Sequence, residues 1–156
     1  PPDAHLLPIL RTAPHVQEFE VRAHLDVSSR VQCVVNYFGP TDFLQMDAQR
    51  MPDGMMHDTA DSPESELVGG PIQEKEASVA RANPITYITQ DIPPFLIFHG
   101  DHDPLVPYQQ SVLLNNALVG AGAPVWFYTV IGEGHGQFQD PMVAKLTMSF
   151  FEKHLK

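Results

Sequence analysis

Two short stretches of this 156-residue chain concentrate side chains that could move a proton. The first is His99-Gly100-Asp101-His102-Asp103-Pro104-Leu105-Val106-Pro107, and the second is Gly132-Glu133-Gly134-His135-Gly136-Gln137-Phe138. A carboxylate that accepts a hydrogen bond from one imidazole nitrogen fixes the tautomer and stabilises the imidazolium. The other nitrogen is then free to deprotonate a nucleophile. An acid from the first stretch and His135 from the second would make such a pair, and glycines on both sides of His135 would let the backbone turn tightly around an accessible ring. Each stretch alone has a plainer explanation, since an Asp before Pro is often a turn-former and a His among glycines is often structural. Their order, one helix and one strand apart, is what points to chemistry.

Other chemistries fit less well. His99, Asp101, His102, Asp103 and His135 are all capable of binding a metal, but consecutive loop residues do not converge as an i, i+4 pair on a helix does, so no metal is expected. Gly132, Gly134 and Gly136 alternate without forming a G-x-G-x-x-G turn that opens a helix, and no cofactor is expected. Cys33 reads as a buried, inert thiol in mid-strand. Glu133 reads as an exposed loop carboxylate, with electrostatic tuning of His135 as the alternative.

The elements that must position these loops follow from hydrophobic patterning. Arg30 to Phe38, Pro94 to His99 and Pro124 to Val130 are apolar, β-branched or aromatic runs bounded by Gly and Pro, as buried strands are. Between the second and third, Tyr108 to Val119 carries Val112, Leu113, Leu114, Ala117 and Leu118 at helical spacing, with Gly120 expected as its C-cap. Asp140 and Pro141 suit the N-cap and first position of a terminal helix whose apolar face is Val143, Leu146, Met148, Phe150 and Phe151. Strands apolar on both faces and separated by helices predict an α/β fold with about three parallel strands and flanking helices. Both chemistry-bearing loops then lie at strand C-termini, where open parallel sheets bind ligands.

The stretch from Thr41 to Gln90 reads as an excursion from the sheet. A short helix is expected from Ser62-Pro63, and a polar helix over Gln73 to Ala82 ended by Asn83-Pro84. Met46, Met51, Met55 and Met56 are expected to fill gaps rather than line an adaptable surface, and the acidic residues to form a solvated face.

HGDHDPLVP followed by GEGHGQF resembles the acid and histidine motifs of the α/β-hydrolase family, in which nucleophile, acid and His follow in that order. The likeness is to small bacterial carboxylesterases of the acetyl-esterase and feruloyl-esterase type. VQCVVNYFGPTDF at Val31 to Phe43 and ESELVGGPI at Glu64 to Ile72 carry it further, so that it covers nearly the whole chain. The resemblance implies Asp103 as catalytic acid, His135 as base, a lid-like role for residues 41–90, and a packing role beneath the site for Val106-Pro107. Its implied activity is hydrolysis of small acyl or aryl esters.

One motif of that family is absent. None of Ser28, Ser29, Ser62, Ser65, Ser78, Ser111 and Ser149 has the flanking glycines of the nucleophile elbow G-x-S-x-G. In the esterases it resembles, that elbow is commonly followed by Gly-His-Leu, and His5-Leu6 matches the His-Leu, placing the nucleophile at Pro1. The chain is therefore expected to be one partial domain over residues 1–156, the C-terminal half of an α/β-hydrolase with two of three triad members. The alternative is an inactive truncated module that self-associates through its exposed sheet edge.

Composition bounds the partners. A net charge of -10 repels a phosphate backbone, so nucleic acid is not expected. No apolar run approaches the ~18 residues of a membrane span, and no membrane contact is expected. The expected partners are a small ester substrate and either a second copy of the chain or a preceding N-terminal half. Compartment stays open between cytoplasmic and secreted, because any leader would precede residue 1.

Overall fold

A computed structural model of the chain describes residues 30–155. Its described residues form one three-stranded parallel sheet with the order β1-β2-β3, where β1 is Val34–Tyr37, β2 is Phe95–Gly100 and β3 is Val125–Val130. The central strand is buried along its whole length, which requires cover on both faces. Phe95 and Ile97 point into one apolar cluster with Leu114 and Leu118 of α4, the helix Tyr108–Gly120. Leu96 and Phe98 point into the other, with Val143 and Phe150 of α5, the helix Pro141–His154. The expected parallel three-stranded α/β arrangement is present.

The first strand is shorter than the run that announces it. Val34 N–H donates to Pro94 O at 2.9 Å, and the ladder begins there, because Pro93 and Pro94 have no N–H with which to extend it toward Arg30. At the other end Phe38 leaves the strand with φ of +44°, the sole positive value at a described residue other than glycine.

The helix ends match expectation at α5 and differ at α4. Asp140 accepts from Met142 N–H with Pro141 in the first turn, as expected, but Met148 is 60% exposed and lies off the apolar face. Gly120 is the last residue of α4 and not its cap. Ala121 caps the helix, Gly122 takes the left-handed conformation with φ of +75°, and Ala123 N–H reaches back to Leu118 O. One residue in that conformation is sufficient to close a helix end, and the chain supplies it two positions later.

The excursion holds three short helices, α1 (Met46–Gln49), α2 (Pro63–Val68) and α3 (Glu76–Ala82). Ser62 caps α2 as expected by accepting from Ser65 N–H. The polar helix expected from Gln73 is broken: a 3-10 turn covers Ile72–Glu74, and Lys75 leaves helical geometry before α3 begins. Phe43, Met46, Ile72 and Val79 build a small core of their own, and Val106 from the loop after β2 completes it. Of the methionines, Met46 is fully buried there, whereas Met51 and Met56 are exposed. The acidic residues are not all a solvated face. Asp47 accepts from His57 and Asp58 N–H, and buried Glu64 meets His57 Nδ1 at 3.1 Å.

Candidate active site

Both loops leave the sheet at the C-terminal ends of neighbouring parallel strands, and this topology brings their side chains together. Asp103 Oδ2 and His135 Nδ1 lie 2.8 Å apart. The other Asp103 oxygen, Oδ1, accepts from the N–H groups of Leu105 and Val106, each at 2.8 Å. His99 Nε2 adds a fourth donor, 3.3 Å from Oδ2. The Asp103 side chain has no exposure to solvent, so all of its acceptor capacity is met by protein. Burial pushes its carboxyl up, but the hydrogen bonds from His99, Val106, Leu105 and His135 outweigh that and hold it below its usual value. An ionised Asp103 requires the hydrogen on His135 Nδ1, leaving Nε2 with a bare lone pair. The His135 side chain keeps 27% of its exposure.

His99 is fully buried and held at both nitrogens. Nε2 faces Val106 O at 3.0 Å and Asp103 Oδ2, both acceptors, so Nε2 carries the hydrogen; Ser111 Oγ–H then donates to Nδ1 at 2.7 Å. The buried face of α4 therefore starts polar, with Gln110 and Ser111, before turning apolar at Leu114 and Leu118. Gln110 ties the start of the excursion to this helix: its Oε1 accepts from Thr41 and Asp42 N–H at 2.8 and 2.7 Å. Met55 N–H donates to Pro104 O at 2.7 Å, so the excursion also grips the acid loop directly. Val106 and Pro107 are both buried.

The two loops are braced against each other by backbone. His102 N–H donates to Glu133 O at 3.0 Å, and Gly132 N–H donates to Asp101 Oδ1 at 2.6 Å. Asp101 also receives His102 Nδ1, and these two contacts hold its carboxyl below the usual range. At Gly100 a Cβ would overlap Glu133 O and stand 2.6 Å from Gly134 O, so β2 must end in glycine for the His135 loop to lie against it. Glu133 is a clamp rather than a free loop carboxylate, since its two oxygens accept from Gln139 and Asp140 N–H at 2.7 and 2.9 Å.

Phe38 joins this site without a signal in the motif spacing, whereas His99 opens the acid motif, which gives no sign of its part in holding Asp103. Phe38 follows β1, and its ring centroid is 4.1 Å from that of His135. Among the described residues, no group of three His, Cys, Asp or Glu side chains is arranged to hold an ion. Cys33 lies just before β1 rather than in mid-strand, and burial raises its thiol pKa. A separate cleft of about 370 Å³ lies between β3 and α5, lined by Trp126, Phe150 and Lys153 among others and by neither Asp103 nor His135. Ser28, Ser29 and the His5-Leu6 match fall outside the described residues.

The BD-FAE family model matches residues 4–118, which include Asp103 and stop short of His135. The chain belongs to the BD-FAE family. It is 35% identical over 86 residues to "Probable carboxylic ester hydrolase LipM" of Mycobacterium tuberculosis, a match covering 55% of this chain and 19% of LipM. Among solved structures it is similar to a "Truncated form of carbohydrate esterase from gut microbiota", with a TM-score of 0.81 and 32% identity, covering 96% of this chain and 55% of that one. A bifunctional GH43-CE protein of Bacteroides eggerthii gives a TM-score of 0.73 at 34% identity, covering 87% of this chain and 18% of that one. The fold of this BD-FAE chain is that of the α/β-hydrolase esterases, and the chain spans about half or less of the length of these relatives.

Proposed function

We propose that this chain supplies the acid and the base of a serine carboxylesterase acting on small acyl or aryl esters. The observation that carries this is the 2.8 Å contact between His135 Nδ1 and a buried, ionised, fully hydrogen-bonded Asp103. In this reading His135 Nε2 takes the proton of a serine hydroxyl as its oxygen attacks the ester carbonyl. It then returns that proton to the departing alcohol, leaving an acyl-enzyme. Water repeats the cycle: His135 deprotonates it, the acyl group leaves as a carboxylic acid, and the serine regains its proton. Asp103 keeps Nδ1 protonated and stabilises the imidazolium that forms twice per turnover.

The serine is expected from outside the described residues. Ser111 is fully buried and engaged with His99, and Ser62 and Ser65 bond to each other. Esters on carbohydrate are the favoured substrate class, because a carbohydrate esterase is among the similar structures. The test is hydrolysis of p-nitrophenyl acetate and of acetylated xylo-oligosaccharides by the full-length protein. Turnover that disappears in His135→Ala supports the proposal, and full turnover in that variant overturns it.

Self-association is the second reading, favoured by the outer edge of β1, which has no strand partner among the described residues. Sedimentation of the 156-residue chain tests it, with a strictly monomeric species as the contrary result.

A further inference from the structure

Phe38 stands in a conformation that its residue type does not favour. Its φ of +44° is in the left-handed region, where Cβ crowds the backbone carbonyl and where glycine is usual. Here the chain places an aromatic residue, with Gly39 immediately after it. The turn is held from both sides: Phe38 N–H donates to Phe98 O at 2.8 Å, and Gly39 N–H donates to the buried Asn36 Oδ1 at 3.1 Å. The strained backbone turns the Phe38 ring onto His135, with centroids 4.1 Å apart and planes inclined at 47°. Phe138 closes on Phe38 edge to face at 5.6 Å, so the Phe38 ring is held between the imidazole and a second aromatic.

We propose that Phe38 is a positioning residue for His135, its ring face both fixing the orientation of the imidazole and stabilising the imidazolium formed when His135 takes a proton. An aromatic face attracts a cation through its quadrupole, and the attraction grows when water is excluded. The contact therefore favours the charged ring more than the neutral one, which is the differential interaction that speeds a proton-transfer step. The inference rests on His135 being the base.

The other charged groups around His135 are the same in every variant considered. Asp103 contacts it from the acid loop. Glu133, on its own loop, is engaged by Gln139 and Asp140 N–H, and Asp101 is engaged by Gly132 and His102. Phe38 also meets His99 edge to face with centroids 6.4 Å apart, and His99 shares Asp103 Oδ2 with His135, so the variant that keeps both ring contacts is the control that assigns a shift to the aromatic face.

The test compares Phe38→Leu, which keeps apolar bulk, with Phe38→Tyr, which keeps the aromatic face. Both are made in the full-length protein, and the His135 ring is titrated by NMR beside the pH profile of ester hydrolysis. Phe38→Leu is expected to move the acid limb of the kcat/KM profile to lower pH. Its kcat should fall several-fold with KM little changed, and Phe38→Tyr should restore both. Phe38→Met serves as the apolar variant if Phe38→Leu does not fold. An identical His135 titration in the apolar variant, the Tyr variant and the wild type overturns the inference. Full turnover in His135→Ala overturns the esterase reading instead, and the NMR titration still decides the Phe38–His135 contact.

Discussion

His99 and His135 meet the same oxygen of Asp103, at 3.3 and 2.8 Å. The carboxylate sits between two imidazoles of different character: one sealed in the core and locked by Ser111, the other partly open to solvent. His99→Phe would strand the Ser111 hydroxyl in an apolar setting and remove a donor from a buried carboxylate. The expected loss of stability is about 2–3 kcal/mol in a urea titration, with His99→Gln costing less because an amide N–H can still reach Asp103.

The depressed Asp103 carboxyl also sets a pH dependence. A carboxyl whose folded pKa is below its unfolded value stabilises the fold fully above the unfolded value, ordinarily 3.8, and loses that contribution as pH falls through the folded one. Asp103→Asn should therefore flatten the acid side of the stability curve measured by thermal melting between roughly pH 5 and pH 2. An unchanged acid slope in Asp103→Asn would show that other carboxyls dominate there.

The same substitution tests the proposed chemistry. Asn in place of Asp103 can present an N–H to His135 and reverse its tautomer, so kcat should fall by about 10⁴ with KM changed little. The double variant with His135→Ala should be scarcely slower than either single one, because the two side chains act as a unit. Additive losses would count against a shared proton path.

Gly100→Ala leaves every polar side chain of the site intact. Its Cβ would overlap Glu133 O, so the loop bearing His135 must move. Expected are a destabilisation of about 1–3 kcal/mol and a loss of turnover out of proportion to it, because His135 would leave the reach of Asp103. Normal activity in Gly100→Ala would show that the loop can slide without consequence.

What could be read from the chain divides by the range of the interaction responsible. The three strands and α5 were legible because continuous apolar runs and an Asp-Pro cap are local signals. That Asp103 and His135 meet was legible because their neighbours in sequence, together with one intervening helix and strand, set where they stand. Phe38 was hidden: it reads as the last residue of a strand, and its turn is held by its own N–H on Phe98 O and by the Gly39 N–H on Asn36 Oδ1. Glu133 was misread for the same reason, since its partners, the N–H groups of Gln139 and Asp140, become available where α5 begins. The break at Lys75 moved the start of α3 from Gln73 to Glu76, and the late left-handed residue at Gly122 moved the end of α4 from Val119 to Gly120, neither altering the sheet.

The bracing of the two loops at β2 and β3 has one more implication. The hydrogen bonds to Asp103 and to the Glu133 clamp are all made by residues between 99 and 140, while Phe38 and Met55 N–H reach the same two loops from outside that stretch. That stretch holds most, but not all, of what aligns the pair. Moved into an esterase of this architecture, it would need an aromatic ring in the place of Phe38 and a backbone N–H in the place of Met55 to keep Asp103 and His135 aligned.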